Sequence, residues 1–316
     1  MKRIGLLSLF LLFVILGSAR RTQYKMVVAK DGSGDFTTIQ SAIDATKSFP
    51  DKRITIYIKN GVYHEKVRIP SWNPMLSLIG EDVDKTIITY DDYFKKMNRG
   101  RNSTFFTSTL LVEADDFHAE NLTIQNSAGP VGQAEALHVE GNRCIFKNCH
   151  ILGNQDTLYV SGENSNQLYN NCTIEGTTDF IFGSATAVFK SCTIVSKINS
   201  FITAASTSKG KKFGLVFLDC KLTAEKGVNK VFLGRPWRTF AKTVYIRCNL
   251  GNHIRPEGWQ DWGNSEARTN SFYAEYENTG PGANTSDRVK WSHILNQNEV
   301  KKYTIANILG DWAMNE

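Results

Sequence analysis

Two aspartates carry the strongest chemical signal in the chain. Asp156 lies in Gly153-Asn-Gln-Asp-Thr-Leu158, and Asp179 opens Asp179-Phe-Ile-Phe-Gly183. Both phrases contain glycine, and the second is otherwise apolar, an unusual setting for a carboxylate. If the two side chains sit on neighbouring strands, about 4.8 Å apart, they resist ionising together and one retains its proton. A nearby guanidinium, for which Arg235 in Leu233-Gly-Arg-Pro-Trp237 is the candidate, would hold the other as a carboxylate. One residue type would then supply both a nucleophile and a general acid. Gln133, in Gly132-Gln-Ala-Glu-Ala-Leu137, and Gln155, beside Asp156, add two amides to the set.

Other catalytic arrangements are missing from the sequence. There is no Gly-x-Ser-x-Gly elbow for a serine hydrolase, and neither His-x-x-x-His nor paired Cys-x-x-Cys to suggest a metal. Gly32-Ser33-Gly34 lacks the third glycine of a nucleotide loop and reads as a turn, and the six histidines are scattered singly. No metal and no cofactor are expected.

The elements that must position these residues announce themselves as a repeat. Five of the six cysteines fill one slot in a recurring phrase: Phe146-Lys-Asn-Cys149-His-Ile, Tyr169-Asn-Asn-Cys172-Thr-Ile, Phe189-Lys-Ser-Cys192-Thr-Ile, Phe217-Leu-Asp-Cys220-Lys-Leu and Tyr245-Ile-Arg-Cys248-Asn-Leu. An earlier relative, Ala119-Glu-Asn121-Leu-Thr-Ile124, puts Asn121 in the slot. Repeats of this length mean a solenoid, and short apolar–polar alternation within each unit means strands. The expected fold is all-β, a single-stranded right-handed parallel β-helix with the cysteines stacked inside as small apolar residues. Cys144 lies outside the slot, and one disulfide stays open. The spacing of Ile39, Ala42, Ile43 and Thr46 predicts an N-terminal capping helix within Thr37–Ser48, started by Thr37 or Thr38. A C-terminal helix is expected over 298–309, against the side or far end of the coils. Asp156 and Asp179, one repeat apart, would then sit on adjacent coils.

Composition sets wider bounds. With 316 residues, 41% hydrophobic and 22% charged, the chain can bury a large core unaided. The formal charge of +6 suits an anionic partner, but no basic run marks a nucleic-acid arm. Lys2 and Arg3, the apolar run Ile4–Leu16 and Gly17-Ser18-Ala19 have the form of a signal peptide over 1–19. The apolar run is short for a membrane span, which takes about 20 residues. An exported protein, periplasmic or extracellular, without a membrane anchor is expected, with 20–316 as one domain and a monomer as its state.

At its polar phrases the chain resembles the pectin methylesterases, or pectinesterases. Gly61-Val-Tyr63-His-Glu65, Gln133-Ala-Glu-Ala-Leu137, Gln155-Asp-Thr-Leu158, Asp179-Phe-Ile-Phe-Gly183 and Leu233-Gly-Arg-Pro-Trp237 follow that family's motifs in order. The likeness runs from about Val28 to Val289-Lys-Trp291. It implies hydrolysis of the C6 methyl esters of galacturonate in pectin. Asp179 would be the nucleophile, Asp156 the general acid/base, Gln133 and Gln155 the oxyanion donors, and Arg235 the residue that orients the nucleophile. Trp237 and Trp259 would line the groove for methyl-esterified homogalacturonan, with Phe106 either lining it or filling a rung. Tyr63 and Glu65 read as structural, and Trp262 and Trp291 as packing residues. Glu135 stands where the family usually has an apolar residue; facing the groove, it would disfavour de-esterified units. Thr178 also stands where an apolar residue is common. Without a long pro-region, the chain looks like a bacterial form. Other readings are an esterase of this fold acting on a different ester or thioester, and a catalytically silent wall-binding β-helix. A polygalacturonase or pectate lyase would need a different acidic cluster or a calcium site.

Overall fold

The computed structural model describes residues 23–314, so the expected signal peptide over 1–19 lies outside the described residues. Strands of two to five residues recur, mostly in threes, along the chain, and each pairs in parallel with its counterpart on the adjacent turns. The result is three parallel sheets of eleven, eight and seven strands wound as a right-handed β-helix, the hand favoured for parallel crossovers. They are called here the long, middle and cleft sheets.

The corner between the long and middle sheets explains the repeat. At each turn one residue adopts positive φ: Asn121 (56°), Asn148 (51°), Asn171 (53°), Ser191 (53°), Asp219 (55°) and Arg247 (52°). Asparagine and aspartate tolerate this conformation best among residues with a side chain. Asn171 also donates from Nδ2 to Oδ1 of Asn148 at 2.7 Å, tying one corner to the next. The cysteine follows immediately and turns inward. Its thiol meets a carbonyl one coil back, as with Cys172 Sγ and Phe146 O (3.3 Å) or Cys220 Sγ and Phe189 O (3.2 Å). The strand register corrects one assignment: His150 pairs with Thr123, so Leu122, not Asn121, occupies the cysteine slot, and Asn121 is the corner residue before it. All six cysteines are buried and unbridged, Cys144 included.

Beside the thiols, Ile124, Ile151, Ile174, Ile194 and Leu222 form one internal column. Phe146, Tyr169, Phe189, Phe217 and Tyr245 form another, stacked at centroid spacings of 5.0, 4.9, 4.5 and 4.4 Å. Each such buried side chain stabilises the fold by about 1.5–3 kcal/mol relative to exposure.

The N-terminal helix spans Ile39–Asp44 with Thr38 as its N-cap and Ile39, Ala42 and Ile43 buried against the first coil. Glu65 accepts from the helix's first amides, Ile39 N at 2.9 Å and Gln40 N at 3.0 Å, and Tyr63 is buried with its hydroxyl on Lys59 O. Both are structural. The C-terminal segment forms two short helices, Gln297–Val300 and Ile305–Leu309, rather than one. Asn296 and Thr304 each cap a new start. This segment lies along the outer face of the long sheet. There Ile145, Leu168, Val188, Val216, Val244 and Ala274 form a second buried apolar column beneath Leu295, Ile308, Leu309 and Ala313.

Candidate active site

The outward face of the cleft sheet bears His138, Tyr159, Phe182, Ala204 and Arg235 on five successive coils, in register. Just before three of these strands, the corner leaving the middle sheet carries the polar residues. An isolated bridge pairs Gln133 with Gln155. Asp156 and Asp179 each stand two residues ahead of paired strand residues, Leu158 and Ile181, so they are equivalent positions on adjacent coils. Both have positive φ, 62° and 50°, a conformation that a non-glycine residue holds only where its surroundings impose it. Here the imposing contacts are Asp156 N to Thr178 O (3.1 Å) and Asp179 N to Phe201 O (2.9 Å).

Arg235 reaches back across the small Ala204 to Asp179, donating from Nε to Oδ1 at 2.9 Å and from Nη2 to Oδ2 at 2.6 Å. This fork-to-fork geometry fixes both groups. The guanidinium is sandwiched between the rings of Phe201 (4.0 Å) and Trp262 (3.7 Å). Gly234 lets the strand pass: a Cβ there would fall 2.0 Å from Thr203 Oγ1. Gly183 plays the same part after Asp179, where a Cβ would meet Val160 O at 1.9 Å and φ is 131°.

The electrostatics separate the two carboxyls. Burial raises the Asp179 pKa, and the Arg235 hydrogen bonds and charge oppose that rise. Asp156 has no such direct partner. Its tip opens to the cleft but protein walls it on most sides. Burial first, then the charges of Asp179 and Glu135, push its pKa well above the usual carboxylate value. Asp179 is thus the better anion, and Asp156 the better proton holder.

An open cleft of about 610 Å³ lies over these groups, and Gln133, Gln155, Asp156, Asp179, Arg235 and Trp237 all line it. Neither glutamine amide is engaged by a protein hydrogen bond among the described residues. Trp237 packs edge-on against Tyr159 and Phe182.

Four expectations need correction, among them that of Trp262 as a packing residue. Trp259 does not line this cleft: it is 1% exposed and stacks on Tyr273 at 4.6 Å as a continuation of the internal aromatic column. Its segment pairs with Gly234, which turns the indole inward, whereas Trp262, at φ 55°, swings out over Arg235 and takes the groove position. Phe106, 41% exposed, lies under the Arg99 guanidinium; its neighbour Phe105 enters the cleft and packs on Tyr159 at 5.2 Å. Glu135 does not face the groove, for it is fully buried in the wall beside His138. Trp291 packs against the core, 5.7 Å from Tyr273.

Tyr159, Phe182, Arg101 and Arg238 also line the cleft and were not singled out from the sequence. The first two had a legible signal, each standing three residues after a candidate aspartate. Among the described residues no group of three or more His, Cys, Asp or Glu converges as a metal site.

The pectinesterase family profile matches residues 25–311. The chain is 41% identical over 281 residues to probable pectinesterase/pectinesterase inhibitor 23 of Arabidopsis thaliana, covering 85% of this chain and 49% of that protein. With pectinesterase 4 of the same plant it is 39% identical, over 93% of this chain and 52% of that one. It therefore spans about half the length of the curated relatives it matches. Among solved structures, carrot pectin methylesterase superposes with a TM-score of 0.85 at 33% identity, covering 90% of this chain and 93% of that one. A pectin methylesterase solved in complex with a hexasaccharide superposes at 0.80 with 31% identity, covering 92% and 98%.

Proposed function

From the chain's membership of the pectinesterase family, we propose that it hydrolyses the C6 methyl esters of galacturonate units in pectin, releasing methanol. The observation that carries this reading is the pair of aspartates at equivalent positions on adjacent coils, one gripped by Arg235 and the other not.

In the first step an Asp179 oxygen attacks the ester carbonyl carbon, and the carbonyl electrons move to its oxygen. Gln133 and Gln155, with amides free to donate into the cleft, stabilise that oxyanion, a contribution of about 3 kcal/mol per donor. The tetrahedral species collapses, the C–OCH3 bond breaks, and Asp156 gives its proton to the departing oxygen. Methanol leaves, and the acid is joined to Asp179 as an anhydride. Asp156, now a carboxylate, takes a proton from water as the water oxygen attacks the same carbonyl carbon. Asp179 departs as a carboxylate, Asp156 is again protonated, and the balance is ester plus water to acid plus methanol. Trp237, Phe105 and Trp262 offer aromatic faces to the apolar sides of the sugar rings.

The protein acts outside the cytoplasm as a monomer, with 1–19 removed on export. Among the described residues no helix is long and apolar enough to cross a membrane. The experiment is methanol release from highly methyl-esterified pectin by the protein and by Asp179→Ala. Release by the parent and almost none by the folded variant is expected. No release by the parent would overturn the activity, and equal release by both would overturn the site.

A further inference from the structure

Behind Asp156, on the side of the preceding coil, the cleft wall holds an ion group that the proposed reaction leaves unused. Ala134 N donates to Gln155 O at 3.1 Å and Ala136 N to Thr157 O at 2.8 Å. Glu135, between them, is thereby set beside the segment that carries Asp156. Its side chain is fully buried. Oε2 lies 3.3 Å from His138 Nδ1, and Nε2 of the same ring lies 3.2 Å from Oε1 of Glu140. Neither contact has hydrogen-bond geometry, so the pairing is one of charge, and two carboxylates this close to one ring favour its imidazolium form. Burial alone would push the His138 pKa down, but the Glu135 and Glu140 carboxylates outweigh it, and the pKa is pushed up to about 9. Burial raises the Glu135 pKa, and His138 opposes that rise.

The other charged groups around this pair are accounted for. Lys66 acts on Glu135 from two coils back while its Nζ is held by Asp92 at 2.8 Å and by Phe106 O. Arg68 acts on Glu140 but is committed to Glu113. The His138 ring rests on Tyr159 at 4.5 Å, and Tyr159 floors the cleft.

We propose that Glu135, kept ionised inside the wall by His138, is a positioning residue for the general acid: its negative charge holds the Asp156 proton in place until the methanol oxygen takes it. The same charge makes the resulting Asp156 carboxylate a stronger base toward the incoming water. This inference rests on the proposed esterase reaction.

The test is the pH profile of kcat for methanol release by the parent, Glu135→Gln, His138→Gln and the double variant. Glu135→Gln removes the charge. His138→Gln strands a buried carboxylate, which neutralises by taking up a proton. Both are expected to move the alkaline limb to lower pH by the same amount, with no further movement in the double variant. A residue that merely fills the wall would lower the rate and leave the limb in place. A limb unmoved in either single variant overturns the inference, whereas no methanol from the parent at any pH overturns the reaction it rests on. If the variants fail to fold, 15N spectra of histidine-labelled parent decide: an imidazolium at His138 at neutral pH is expected, and a neutral ring there overturns the proposal.

Discussion

At the scale of single residues, the site depends on which carboxyl has a cation and which has none. Arg235→Ala would leave Asp179 buried without its partner, so its pKa would climb further. In the proposed reaction Asp179 must be ionised to attack, so the acid limb of the kcat/KM profile should move to higher pH, measurable by methanol release across a pH series. Arg235→Lys keeps the charge but loses the fork and the sandwich between Phe201 and Trp262, and a drop of ~10²-fold is expected. Gln155→Ala should lower kcat by ~10²–10³-fold with little change in fold, as for loss of an oxyanion donor. Asp156 bears on stability with a definite sign. Its folded pKa lies above the unfolded value, so the folded state holds the proton more tightly and this group's contribution falls as pH rises above the unfolded pKa of about 3.9. Asp156→Asn should therefore be inactive yet have a higher Tm than the parent at neutral pH, by calorimetry. The aspartates, glutamines and Arg235 were legible because the chemistry demands those residue types in fixed phrases. Trp262 and Phe105 were not, because which of two neighbouring aromatics turns outward is decided by backbone pairing at Gly234–Trp259 and by a positive φ at residue 262.

At the scale of elements, the corner residue governs the coil. Asn171→Val forces a β-branched side chain into positive φ and breaks the bond to Asn148, with an expected loss of about 1–2 kcal/mol in chemical denaturation. Asn171→Gly should lose less, since glycine adopts that conformation without steric cost. Ile174→Ala, one residue type deeper in the column, should cost about 2–5 kcal/mol. The coil itself could be read directly from the recurring cysteine phrase, because interior slots admit few residue types. The exact slot in the coil before Cys149 could not: Asn121 and Leu122 differ by one position, and only pairing of His150 with Thr123 settles which side of the corner each occupies. The C-terminal helix was legible as helix but not as two, since the break rests on capping by Thr304, a local hydrogen bond that overrides a continuous apolar spacing.

At the scale of the whole molecule, the positive net charge of the chain and the anionic polymer of the proposed reaction should attract one another over a distance set by salt. Raising ionic strength should lower kcat/KM on pectin more than on a small neutral methyl ester. The C-terminal segment has a different kind of consequence. A solenoid whose coils touch only their neighbours behaves as a one-dimensional array, free to fray from either end. The two helices that follow the last coils lie across a column running from Ile145 to Ala274, so they couple six rungs that otherwise communicate only stepwise. Denaturation of the intact chain should accordingly be a single sharp transition. Cutting the chain after Ser292 should uncouple the rungs, and amide hydrogen exchange would then spread inward from the open end as a gradient of protection instead of a common rate.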